Sequence, residues 1–280
     1  MKAFLESEIP DLPPHACFFH VIPAPLEETV SYGGGTAKGP AAILEASYQL
    51  EAFDGASCPC ELGIHTHENC RSLEAVEDNV SQIWEAGKFP VLLGGEHTVT
   101  LGALRALKAA GVDFGVVQFD AHADLRDQYE GSTLSHACVM RRAVDDLDLP
   151  LFQIGVRSLS LEEHQLRENR EIGHLDASEI ARNGMPESLL PDGFPANIYI
   201  TFDVDGLDSS LMPATGTPEP GGLSWRDAVC ALEAITATRN VIAADFVELA
   251  PIAGLHAPDY TVAKLAYTCM GLVSRRQGAK

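Results

Sequence analysis

Basic residues are scarce in this chain. Lys and Arg number 19 against 40 Asp and Glu, for a formal net charge of −21. With no basic stretch to neutralise phosphates, a general nucleic-acid binder is excluded. Long apolar runs are missing too, each being interrupted within about ten residues, short of what a membrane-spanning helix needs. Met1-Lys2-Ala3-Phe4-Leu5-Glu6-Ser7-Glu8 holds one lysine, two acids and no apolar stretch of signal-peptide length. Cysteine is sparse and odd in number, 7 in 280 residues, which argues against a disulfide framework. A cytoplasmic location and no membrane partner are therefore expected. The acidity would favour the approach of a cationic small molecule, although solubility or the source organism is the better sole explanation of it.

What the chain does contain is regular alternation. Apolar runs at 17–22, 62–66, 89–93, 114–119, 151–155, 171–175, 196–202 and 241–247 read as strands, the first stopped by Pro23 and Pro25. Between them, helical patterns fall at 39–50, 73–86, 99–110, 136–144, 162–169, 225–236 and 259–273, with Ser224 as an N-cap. The expected fold is α/β: a three-layer αβα arrangement around a mostly parallel sheet of about eight strands. No linker, repeat or low-complexity segment divides it, so residues 1–280 are read as one domain. Gly33-Gly34-Gly35 lacks the strand–turn–helix order and the lysine of a phosphate loop and is read as a tight bend.

The chemistry sits at strand ends. Run 114–119 leads into Asp120-Ala121-His122-Ala123-Asp124, run 89–93 into Gly94-Gly95-Glu96-His97, run 196–202 into Asp203-Val204-Asp205, and run 241–247 into Glu248. In parallel sheets ligands bind beyond the carboxyl ends of the strands, where all of these residues fall. Each stretch alone is weak: the first fits a hydrogen-bond cluster, and Asp205-Gly206 fits an ordinary turn. Together they predict a metal site. Four aspartates and two histidines with no thiolate suit Mn²⁺ better than a structural zinc. Four carboxylates carry too much charge for one divalent ion, so two Mn²⁺ are expected. Such a pair activates water at neutral pH, which points to hydrolysis.

These stretches, with Ser31-Tyr32-Gly33-Gly34-Gly35-Thr36-Ala37-Lys38-Gly39-Pro40 and the loop 213–223, together resemble the ureohydrolases, the family of arginase and agmatinase. The resemblance covers most of the chain. It implies that His97, Asp120, Asp124 and Asp203 hold one Mn²⁺ position or its bridges, and that His122 and Asp205 complete the second. It further implies that a hydroxide between the ions attacks a guanidinium carbon, giving urea and an amine. Glu248 would pair with the guanidinium, and His136 would shuttle a proton to the leaving amine. Both roles make physical sense: a carboxylate can accept two N–H bonds from a planar guanidinium, and a departing amine needs a donor titrating near neutrality. The bland alternatives are a buried salt-bridge acid for Glu248 and an inert helix-start residue for His136. Trimers or hexamers are usual in the family, so a homo-oligomer is expected.

The stretch from Asp124 to His136 is similar to agmatinase. Arginases place an asparagine soon after the Asp-x-His-x-Asp unit and a Ser-Gly-Asn stretch before the histidine; here Arg126 takes the first place and no such asparagine follows. The expected substrate is agmatine, cleaved to putrescine and urea. Guanidinobutyrate, formiminoglutamate, aminopropylagmatine and arginine are the alternatives within the family. Ser209-Ser210 replaces a proline-containing turn common in relatives, a change expected to be harmless. A catalytically silent relative or a single-zinc hydrolase are readings of another class, opposed by the complete set of ligand types. Finally, Cys58, Cys60, His65, His67 and Cys70 are dense enough for a zinc knuckle, but the Cys-x-Cys gap is tight, and reduced thiols in a surface loop are expected.

Overall fold

The computed structural model describes residues 2–9 and 12–278. Met1, Pro10, Asp11, Ala279 and Lys280 lie outside the described residues, and the expected 1–280 span extends past them. Eight strands, β1 (Phe19–Ala24), β2 (Ile64–Thr66), β3 (Phe89–Gly94), β4 (Gly115–Phe119), β5 (Leu151–Ile154), β6 (Gly173–Leu175), β7 (Asn197–Asp203) and β8 (Asn240–Val247), form one sheet. Their order is β2-β1-β3-β8-β7-β4-β5-β6, and every pairing is parallel. The expected α/β class and doubly covered parallel sheet are what the chain adopts.

Helices cover both faces. On one side α1 (Gly39–Ser47), α7 (Trp225–Thr238) and α8 (Ala257–Arg276) pack through Ile43, Leu44, Leu232, Ile235, Val262 and Leu265. On the other, α2 (Leu73–Glu85), α3 (Thr100–Ala109) and α4 (Val139–Asp145) pack through Val76, Val80, Leu104, Leu107 and Met140. Adjacent residues of a strand point to opposite faces, so Val21 joins the first cluster and Ile22 the second. That two-sided burial explains why the strands are apolar throughout rather than alternating.

Local differences from the sequence reading have simple causes. Strand β1 continues through Pro23 instead of stopping there. Val21 and Pro23 turn their backbone groups towards β2, where His67 N donates to Val21 O and Cys70 N to Pro23 O, both at 2.8 Å. Register pairing with β2 ends at Val21, so no ladder acceptor waits for an N–H at Pro23. A short helix, α6 (Ala177–Asn183), escaped the pattern, being only two turns long. Helix α5 (Leu161–Asn169) begins at a capping box in which Ser160 and Glu163 bond each other's backbone N–H. Helix α8 starts two residues earlier than the pattern suggested, with Pro258 in its first turn.

Strands β3, β8, β7 and β4 are consecutive at the centre of the sheet, and they are the four that end in ligand-type residues. The chain therefore brings together sites spread over about half its length. Close backbone approach at this edge demands glycine. A Cβ on Gly95 would lie 2.0 Å from the carbonyl oxygen of Leu26. We expect Gly95→Ala to cost about 3 kcal/mol in urea denaturation through this overpacking. Gly193, where a Cβ meets nothing within 4 Å, should accept alanine within about 0.5 kcal/mol.

Candidate metal centre

The strand ends converge on two clusters that share one residue. His97, in a 3-10 turn just after β3, points Nδ1 at three carboxylates: Asp124 Oδ2 at 2.9 Å, Asp120 Oδ2 at 3.3 Å and Asp203 Oδ2 at 3.5 Å. His122 points Nδ1 at Asp205 Oδ2, 3.0 Å away, and at Asp120 Oδ1, 3.5 Å away. Asp120 thus faces one cluster with each oxygen. The ligand-type atoms of His97, Asp120 and Asp124 lie within 4.8 Å of one another, as do those of Asp120, His122 and Asp205. Among the described residues no other such group forms, so Cys58, Cys60, His65, His67 and Cys70 are not gathered into a ligand set. His67 instead meets His20, Nε2 to Nδ1 at 2.8 Å.

Three of the four aspartates are aimed by backbone donors. His122 N donates to Asp120 Oδ1 at 2.6 Å, Ala121 N to Asp205 Oδ1 at 2.9 Å, and Asp205 N to Asp203 Oδ1 at 2.9 Å. Gln118 adds its side-chain Nε2 to Asp120 Oδ2 at 2.7 Å, and Gln118 is itself held by Gln153. The loop beyond Asp205 is pinned by Arg157, whose Nη2 donates to the carbonyls of Asp205 at 2.7 Å and Glu219 at 2.8 Å. Asp124 and Glu248 adopt left-handed backbone, φ 52° and 67°, which non-glycine residues seldom do. Glu248 is fixed there by N–H donation to Gly95 O at 2.8 Å and by accepting His97 N at 2.6 Å. Such strain marks a functional constraint.

The electrostatics are those of crowded charge. Burial pushes Asp124 up to about 7, aided by the neighbouring Asp120 charge, and burial with Asp205 and Asp120 holds Asp203 well above the carboxylate range. Burial opposes charge on His122, but Asp205 and Asp120 outweigh it and lift the ring to about 12. His97 is likewise raised, its burial overcome by Asp120 and Asp124. Without a cation, Asp124, Asp203, His97 and His122 all favour their protonated forms. Yet the buried Nδ1 of His97 forms no properly directed hydrogen bond with any of the three oxygens around it. An imidazole lone pair ringed by carboxylate oxygens, with no thiolate, is a donor set for a borderline-hard divalent cation. The residues present fit two such ions.

A cavity of about 260 Å³ opens above the clusters, bounded by His97, His122, Asp203, Asp205, His136 and Glu248 among others. Burial raises Glu248 to about 8. His136, lowered chiefly by burial, donates its backbone N–H to Thr29 Oγ1 at 2.9 Å, and its Nε2 lies 3.3 Å from Ser31 Oγ. Thr29 is held in turn by Glu96, whose Oε2 accepts the backbone N–H groups of Glu28 and Thr29. The glycine bend expected at Gly33-Gly34-Gly35 lies against the loop after β7, with Gly33 N donating to Gly216 O at 3.1 Å. All eight residues expected at the site line or approach this cavity. The sequence reading missed the supporting residues Gln118, Gln153, Thr201 and Asp245. Their signal was a polar side chain at an interior position of an otherwise apolar strand.

An all-parallel three-layer fold with two acid–imidazole clusters sharing a carboxylate is the framework of the arginase-like hydrolases. Residues 18–271 match the arginase family, and the chain belongs to it: it is an arginase-family ureohydrolase. A Synechocystis protein named N(1)-aminopropylagmatine ureohydrolase is 39% identical over 299 residues, spanning 100% of this chain and 96% of its own. An agmatinase of Bacillus anthracis is 35% identical, with 81% of this chain and 82% of the relative aligned. The crystal structure of an agmatine ureohydrolase of Thermoplasma volcanium superposes with a TM-score of 0.85 at 30% identity, covering 99% of this chain and 96% of that one.

The raised basicity of His97, His122 and Asp124 has a measurable consequence. Groups that hold protons in the metal-free protein must release them to bind a cation, so apparent affinity should rise with pH. One released proton corresponds to about tenfold per pH unit. Titration calorimetry with Mn²⁺ in buffers of different ionisation enthalpy should report net proton release; a pH-independent affinity between about pH 6 and about pH 8 contradicts this electrostatic picture.

Proposed function

We propose that the protein is a two-Mn²⁺ ureohydrolase that removes urea from a linear, carboxylate-free guanidino amine of the agmatine type. The observation that carries this reading is Asp120 split between two acid–imidazole clusters, with Glu248 beside them on the cavity wall. When bound, the cations would supply an activated water at neutral pH. His97, Asp120, Asp124 and Asp203 would hold one ion, with His122 and Asp205 completing the second position.

The chain's own groups do the rest. Glu248 turns its carboxyl into the cavity, and a planar guanidinium donating two N–H bonds would restore its ionised form against the effect of burial. His136 faces the same cavity with its ring held beside Ser31. Its lowered basicity makes it a ready proton donor once charged, suited to protonating the leaving amine. Among the described residues Arg126 is the only Lys or Arg lining the cavity, and its charge is drawn off by Glu163 at 3.9 Å and by the Tyr129 ring at 5.1 Å. With Arg126 so engaged, the cavity wall among the described residues offers no free cation to pair with the carboxylate of arginine or guanidinobutyrate, which supports a carboxylate-free tail.

A longer tail is the second reading. The Synechocystis relative and one from Thermus thermophilus, 37% identical over 92% of this chain, are both named N(1)-aminopropylagmatine ureohydrolase. That substrate keeps the guanidinobutyl end of agmatine, so the chemistry at Glu248 and His136 is unchanged and only the outer contact differs.

Urea release from agmatine, N1-aminopropylagmatine, arginine, guanidinobutyrate and formiminoglutamate tests the reading. One of the first two should exceed arginine in kcat/KM by on the order of 10²-fold; preference for arginine would sink it. Glu248→Gln should lower kcat/KM by on the order of 10³-fold, and His136→Asn should lower kcat by on the order of 10²-fold or more. Retention of full activity in either variant removes that residue from its role.

A further inference from the structure

Asp245 lies in the interior of β8 and is fully buried. Three hydroxyls serve it: Thr100 Oγ1 at 2.8 Å, Tyr199 Oη at 2.6 Å and Thr201 Oγ1 at 2.7 Å. All three donors are themselves fully buried. An ionised carboxylate only accepts, so each hydroxyl spends its single proton on Asp245. Thr201 Oγ1 then has only lone pairs to offer its other neighbour, His97 Nε2, at 2.8 Å. His97 must therefore carry a proton on Nε2. Nδ1, facing Asp124, Asp120 and Asp203, is the nitrogen left to give its lone pair to a cation.

We propose that Asp245 is a positioning residue that acts through Thr201 to fix the tautomer and ring plane of His97, and so sets the affinity of the His97 cluster for its metal ion. The inference rests on the reading that this cluster holds a cation. The chain of bonds runs from a buried charge through one hydroxyl to an imidazole, with no solvent in reach to exchange the roles. Burial raises the Asp245 carboxyl, opposed by His97 and the three hydroxyls. Outer partners of this kind alter metal affinity by about 10–100-fold when removed.

Two substitutions separate direction from packing. Asp245→Asn can turn its amide nitrogen towards Thr201; Thr201 would then donate to Nε2, moving the ring proton to Nδ1, where it blocks the cation. Thr201→Val keeps the shape and removes the hydroxyl. Titration of the metal-stripped full chain with Mn²⁺ should show two classes of site in the native protein. In both variants one class should weaken about 10–100-fold while the other changes little. Thr201→Ser should restore native affinity, which a packing role would not allow. The ¹⁵N resonances of His97 should show Nε2 protonated in the native protein, with Nδ1 the nitrogen that loses its proton as metal binds, and should shift in Asp245→Asn. If Asp245→Asn fails to fold, Thr201→Val and Thr201→Ser decide alone. Native-like affinity in Thr201→Val, or a serine variant as weak as the valine one, overturns the proposal. A native chain that binds no cation overturns the two-ion reading instead.

Discussion

Everything at the carboxyl end of this sheet answers to one constraint: four carboxylates and two imidazoles are crowded out of water. In isolation such a cluster holds protons where ligands should be bare, as the raised Asp124, Asp203 and His122 indicate. Two divalent cations would relieve the repulsion and make each burial favourable. The site is thus built for a partner with positive charge, and its cost is carried by a rigid scaffold. Backbone N–H groups at His122, Ala121 and Asp205 aim the carboxylates before any ion arrives. That preorganisation is what a two-ion hydrolytic site requires.

The fold serves the same end. Placing β8 and β7 between β3 and β4 puts the four strand ends that carry the candidate site residues side by side, so no long loop has to reach across. The left-handed backbone at Asp124 and Glu248 breaks the regular course of the chain at the site. A second layer of residues works inside the strands. Gln153 orients Gln118, and Gln118 presents its amide nitrogen to Asp120. Thr201 and Asp245 do the equivalent for His97.

The candidate ligand set was readable because it is written as short stretches at the ends of apolar runs. Asp120, His122, Asp124, Asp203, Asp205 and His97 needed only the rule that parallel sheets bind at their carboxyl ends. Helix α7 was equally legible: Ser224 caps it, and Asp227 completes a reciprocal pair with the cap. The supporting layer was not legible in this way. Thr201 and Asp245 are separated by 44 residues, and only the pairing of β7 with β8, which sets Thr201 opposite Asp245, makes them neighbours. Pro23 misled for a related reason, since whether a proline ends a strand depends on which side faces an unpaired edge. Substrate choice lies further still from the one-dimensional pattern, in the shape of a cavity bounded by Ser31, Arg126, Tyr129 and Glu163.

The central claim is that Asp120 joins two metal positions. It is tested most directly by metal analysis of the full chain purified with Mn²⁺, alongside Asp120→Asn. Two Mn²⁺ per chain are expected in the native protein, with both bound more weakly in the variant. A single ion per chain, a lone zinc, or an Asp120→Asn protein that keeps either ion at native affinity would contradict it.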